Sequence, residues 1–263
     1  MIIDFHTHIF PDKVAADAIP RLEKAGGISA FTDGTRQGLL SSMRRAGIDK
    51  SVVCTIATRP EQFDSILNWA GSIRSKQIIP FPSVHPASPD CLEQIERIKK
   101  AGFTGIKMHP YYQDFFLNEK RLQAMYEAIS HHGLILLLHT GFDLAFPEIR
   151  RADPAQIAEV ATNFPHLKLV ASHLGAWRMW DEVKDMLCGK KIYMDISFAL
   201  DILEPAQARD IIINHPADYL LFATDSPWTD QAATIKLLAD LNLEPDLYNK
   251  ILGGNAQRLL TGE

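Results

Sequence analysis

Cysteine is scarce in this chain: Cys54, Cys91 and Cys188 are odd in number, far apart and outside any CxxC pair, which argues against a disulfide framework. Cys54 lies within an apolar, strand-like run and reads as a buried thiol rather than a nucleophile. Long apolar runs are missing too, since none approaches the roughly 20 residues a membrane span needs. The first residues show no basic segment followed by an apolar one and a small-residue cleavage site, so a cytoplasmic location is expected. Also absent is a basic stripe of the kind that binds nucleic acid, the formal net charge being -5 with both signs interspersed. The expected partner is a small-molecule substrate, with no nucleic acid and no membrane; a homo-oligomer is compatible with the sequence. Nor is there a linker, because the 15 prolines and 15 glycines are spread through the turns. One domain over residues 1–263 is expected. Finally, no glycine-rich phosphate loop follows the first strand, which disfavours a doubly wound dinucleotide-binding sheet.

What is present is an alternation of short apolar runs and amphipathic stretches. Strands are read at Ile2–His8, Ser51–Ile56, Ile78–Val84, Thr104–Met108, Leu134–Leu138, Leu167–Ala171, Ile192–Asp195 and Tyr219–Ala223. Helical patterns occupy Arg36–Ala46, Gln62–Arg74, Cys91–Lys100, Glu119–His131, Pro154–Asn163, Asp181–Leu187 and Pro205–Asn214, with further helices closing the chain. The glycine-containing stretch between the first strand and Gly34 is assigned no helix. Eight strands separated by helices require parallel pairing with crossovers. In a chain of 263 residues they predict an α/β fold, a single (β/α)8 TIM barrel.

In such a barrel, chemistry collects where the strands end and the βα loops converge. Polar residues stand at those positions. His6 and His8 end the first strand two residues apart, so alternation of side chains points both the same way, and two neutral imidazoles are a natural start for a metal site. Lys107 and His109 follow the fourth strand, His139 the fifth, His173 the sixth and Asp225 the eighth. Each has a plainer reading. His139 is either a ligand or the partner of a neighbouring carbonyl. His173 is a ligand, a base orienting water, or a core histidine. Asp225 either binds metal and carries a proton or caps the following helix. Lys107 is no ordinary ligand; a substrate carboxylate, a carbamate bridging two metals and a plain ion pair are all compatible with it. His85, after the third strand, is placed equally at rim or pocket, while His131, His132, His166 and His215 fall at helix ends or turns.

The motifs DFHTH, a histidine after strand five, SHLG after strand six, ATDSPW after strand eight and the closing ILGGNAQRLL resemble the amidohydrolase superfamily. The likeness spans nearly the whole chain and is greatest to the amidohydrolase-related (amidohydrolase 2) branch, which includes aminocarboxymuconate-semialdehyde decarboxylase and related carboxy-lyases. The resemblance implies a distorted TIM barrel holding one or two divalent ions, zinc first among them. It implies His6, His8, His139 and Asp225 as metal ligands. His173 is then either a catalytic group or, in a binuclear site, a ligand to the second ion. Lys107, in GIKMHP, takes the place of the carbamylated lysine of the binuclear branch.

The function first expected is a metal-dependent hydrolase that uses an ion-activated water on an amide, ester or lactone, with Asp225 carrying the proton. The alternative is a metal-dependent decarboxylase of a small unsaturated or aromatic carboxylic acid, with Asp225 or His173 protonating the carbon. A non-catalytic metabolite or metal binder is the third reading. Substrate contacts are expected from His109, Lys107, Trp177 and Trp228. Trp180, Tyr111, Tyr112, Phe115 and Phe116 supply either pocket walls or loop packing. Arg178 and Arg59 are either carboxylate binders or surface residues.

Overall fold

The computed structural model describes residues 1–262. The chain begins β1 (Ile3–Thr7), α1 (Asp12–Gly26), α2 (Arg36–Ala46), β2 (Lys50–Cys54), α3 (Phe63–Ile73), β3 (Ile78–Phe81), α4 (Cys91–Lys100) and β4 (Gly105–Met108). It continues α5 (Gln123–His131), β5 (Ile135–Leu138), α6 (Pro154–Asn163), β6 (Lys168–Ala171), α7 (Trp180–Met186), β7 (Tyr193–Asp195), α8 (Pro205–Asn214) and β8 (Leu220–Leu221). α9 (Gln231–Asp240), α10 (Pro245–Asn249) and α11 (Asn255–Thr261) follow. No described helix is long and apolar enough to cross a membrane.

Local chemistry sets many of these boundaries. Thr35 caps α2 by accepting the Gly38 N–H at 3.0 Å, and Gly47 ends it in the left-handed conformation. Asp153 and Gln156 cap α6 reciprocally, with Pro154 at its first turn. The unexpected helix is α1. Pro20 and the glycines at its end obscure its period in the sequence, but Pro20 lies on the solvent side while Ala15 and Ile19 are buried.

All strand pairs are parallel, in two ladders, β1-β2-β3 and β4-β5-β6-β7-β8. Individual hydrogen bonds join the ladders: Lys107 N to Pro82 O (2.9 Å) on one side, Phe5 N to Phe222 O (2.9 Å) and Asp225 N to His6 O (2.8 Å) on the other. The strands at those seams, β3 and β8, are shorter than their apolar runs because the ladder there is incomplete. This is the barrel expected from the alternation.

Two apolar clusters follow from it. The larger packs helices onto the outer strand faces. The smaller gathers Ile3, Phe5, Val52, Phe81, Leu137, Val170 and Leu221 in the barrel interior, with Ala256 and Leu259 of α11 against its lower end. Gly105 leaves room for the Phe81 ring, which a Cβ would meet at 2.3 Å.

Candidate metal centre and active site

β1 carries both apolar and polar residues to the inside, which strict alternation forbids. Its register with β2 shifts between Asp4 and Thr7. Such an irregularity re-aims side chains, and here Ile3 and Phe5 join the interior cluster while His6 and His8 meet above it, Nε2 to Nε2, at 3.1 Å.

Each of four histidines is tied by one ring nitrogen to a group that accepts. His6 Nδ1 lies 3.1 Å from Asp195 Oδ2, His8 Nδ1 3.0 Å from the Cys54 carbonyl, His139 Nε2 3.0 Å from the Phe142 carbonyl and His173 Nδ1 3.0 Å from the Ser197 carbonyl. A carbonyl can only accept, so these partners assign the proton to the tied nitrogen and leave the other as a bare lone pair. The bare nitrogens then face one another: His6 Nε2 and His8 Nε2 at 3.1 Å, His139 Nδ1 and His173 Nε2 at 3.0 Å. Buried Asp225 Oδ1, with no hydrogen-bond donor, stands 3.5 Å from His6 Nε2 and 3.2 Å from His8 Nε2. Acceptors converging without protons repel one another unless a cation joins them. The fit to a divalent ion is also metric, because ligands bound tetrahedrally at 2.0–2.1 Å stand about 3.3 Å apart. His6, His8 and Asp225 therefore fit a metal ion.

His139 does not join that trio. It stacks on His109, with centroids 4.1 Å apart and planes at 12°, and its Nε2 edge faces Asp143 at 3.8 Å, with His109 Nε2 at 3.4 Å from the same oxygen. His109, His139 and Asp143 thus form a second His/Asp group beside the first. Lys107 is fully buried, with its Nζ 2.9 Å from His6 Nε2. Burial pulls its pKa down and also drives those of His6, His109 and His139 well below the ordinary imidazole value. Burial alone would raise the Asp225 pKa, but His6, His8 and His173 together hold it below the usual carboxylate range.

Backbone strain is concentrated here. His173, Leu174, Arg178, Phe198 and Asp225 all adopt positive φ, between 48° and 60°. Each costs on the order of 1 kcal/mol, and the left-handed turns at His173 and Asp225 lie in the loops that bring these residues to the mouth. Gly141 is required where it stands, since a Cβ would meet Trp177 N at 2.0 Å.

Of the residues expected at the site, His6, His8, Lys107, His109, His139, His173 and Asp225 gather at the strand ends. Trp177 is buried in the loop after β6, bridged to Gly141, with its indole N–H unpaired. Trp228 is half-buried, its backbone N–H donating to the Asp225 carbonyl at 2.9 Å. Tyr111 and Tyr112 pack with His109 and Phe146 as an aromatic wall. Others lie apart: Phe115 is core, Trp180 donates to the His173 carbonyl, and His85 accepts the Ala87 N–H. Phe116, Arg59 and Arg178 are exposed, and Arg178 pairs with Glu148. Sequence reasoning missed Asp143, Asp195 and Ser197. For Asp195 the signal was available, as it closes its strand with a carboxylate much as Asp225 follows β8.

Comparisons with known proteins agree on the architecture. An uncharacterised TIM-barrel protein from Bordetella bronchiseptica superposes with TM-score 0.81 at 21% identity, covering 99% of this chain and 98% of that one. For 5-carboxyvanillate decarboxylase LigW from Sphingomonas paucimobilis the TM-score is 0.73 at 15% identity, with 99% and 98% covered. A dihydroxybenzoic acid decarboxylase from a Polaromonas species, with bound manganese and 2-nitroresorcinol, gives 0.71 at 14%, with 99% and 96% covered. Other similar folds include 2,6-dihydroxybenzoate decarboxylases and a probable 2-pyrone-4,6-dicarboxylic acid hydrolase. No curated protein sequence matches. The model of the family described as amidohydrolase matches residues 3–261, nearly the whole sequence, and the chain belongs to that family.

Proposed function

We propose that this protein is a metal-dependent carboxy-lyase acting on a small aromatic or unsaturated carboxylic acid. The observation that carries the metal reading is the convergence of His6 Nε2, His8 Nε2 and Asp225 Oδ1, whose two ring nitrogens carry no proton in the assigned tautomers, with Lys107 Nζ reaching only His6 Nε2 at 2.9 Å. The reaction class is supported by the decarboxylases among proteins of similar fold and by the aromatic wall of Tyr111, Tyr112 and Phe146 beside His109. A divalent ion at this centre, zinc or manganese by its donor set, supplies a Lewis acid for a substrate oxygen.

In decarboxylation the bond from the ring or vinyl carbon to the carboxylate breaks, its electron pair stays on that carbon, and carbon dioxide leaves. A proton must then reach the carbon. Asp225, ionised in this setting, first accepts a proton from substrate or solvent and then returns it; His173 is the other group placed to do so. Hydrolysis of a lactone or ester is the second reading, favoured by the hydrolase of similar fold.

The test incubates metal-loaded protein with 5-carboxyvanillate, 2,6-dihydroxybenzoate and a lactone panel in 18O-labelled water. Carbon dioxide release without 18O in the organic product supports the carboxy-lyase. Label in the product without carbon dioxide release overturns it in favour of the hydrolase.

A further inference from the structure

Asp195 ends β7, and β8 separates β7 from β1, yet its carboxylate reaches His6. Oδ2 lies 3.1 Å from His6 Nδ1, while Oδ1 accepts from His173 N at 3.1 Å, Ser197 N at 3.0 Å and Ser197 Oγ at 2.5 Å. The Ser197 hydroxyl in turn stands 3.2 Å from His6 Nδ1 and 3.2 Å from His173 Nδ1. One fully buried carboxylate therefore meets four donors drawn from β1, the loop after β6 and its own strand end.

We infer that Asp195, supported by Ser197, is the positioning residue that fixes His6 in its Nδ1–H form and sets His6 and His173 in register, so that both Nε2 lone pairs face the mouth. This inference rests on the metal-centre reading. Geometry separates this role from simple packing. An asparagine has the same shape, but four donors face the carboxylate. Whichever way its amide is turned, an N–H group opposes another donor. His6 then keeps its place in the fold and loses the acceptor that holds its tautomer. Carboxylates behind metal-bound histidines have this effect generally, and their loss weakens metal binding by 10–100-fold.

The experiment titrates metal-free full-length protein with Zn2+ against a chromophoric chelator and records imidazole 15N spectra of the same metal-free samples. For Asp195→Asn we expect Zn2+ affinity to fall by about 10–100-fold and the His6 spectrum to show mixed tautomers in place of one. Ser197→Ala, the gentler variant, should show a smaller loss in the same direction, and it carries the test if Asp195→Asn does not fold. A control that loosens the far end of the barrel, Leu259→Ala, should leave affinity unchanged. Wild-type affinity in folded Asp195→Asn, or an equal loss in Leu259→Ala, overturns the positioning role. A wild-type protein whose Zn2+ binding is indifferent to His6→Asn and His8→Asn overturns the metal centre itself, a separate outcome.

Discussion

At the N-terminal ends of the strands, Ala256 and Leu259 of α11 pack beside Ile3, Val52 and Leu221, an apolar assembly. At the other end of the same strands, buried His6, Lys107, His109, His139, His173 and Asp195 are crowded together, with five residues of the loops after β6 to β8 in left-handed backbone. The first arrangement lowers free energy through burial; the second is held in place against desolvation and strain. The contrast shows where stability and chemistry reside in this barrel, and it exposes each to separate attack.

The largest effect is expected at the mouth. Asp225→Asn should lower turnover by on the order of 10²–10⁴-fold with little change in the unfolding midpoint, measured by carbon dioxide release and thermal denaturation. Wild-type turnover would break the assignment. At the opposite end, Leu259→Ala removes a buried side chain and should cost about 2–5 kcal/mol in urea unfolding, leaving the metal content per chain unchanged.

His215 sharpens the comparison, being a buried histidine away from the mouth. Its Nε2 donates to the Ile192 carbonyl at 2.8 Å, and burial pulls its pKa down to about 4 from 6.5. Below pH 6.5 the unfolded chain takes up a proton there that the folded chain refuses. Stability present above that pH is therefore lost as pH falls toward 4, by on the order of 2 kcal/mol between pH 7.5 and 5. His215→Gln should flatten that part of the curve, and the difference between the two urea series at each pH isolates it.

The smallest effect belongs to the rim. Arg150 holds Glu182 through two nitrogens at 2.9 and 2.6 Å and reaches Asp153 at 2.9 Å. Glu182→Gln should cost less than about 1 kcal/mol, because the pair is solvated, and metal affinity should not change.

How far the site was legible follows from these same residues. His6, His8, His139, His173 and Asp225 could be named because each directly follows or ends an apolar run, and position along a strand is a local property. Asp143 and Ser197 gave no such sign, since they lie five residues past β5 and two past β7, inside loops whose path depends on contacts elsewhere. The β1 irregularity was equally hidden: alternation put His6 and His8 together but opposite Phe5, and only pairing with β2 shows how all three enter the barrel. The α1 helix was lost for a different reason: Pro20 lies inside it and glycines close it, and both read in the sequence as breaks in a helical period.

The sequence by itself determined the family, the order of strands and helices, and the set of side chains delivered to one end, because hydrophobic periodicity and strand-end position are written locally. Tertiary structure alone decided which nitrogen of each histidine is free and that His139 turns toward His109 and Asp143. It also decided that one carboxylate on β7 serves two other segments. These depend on which carbonyl or carboxylate lies behind each ring, and those groups come from parts of the chain up to 189 residues away.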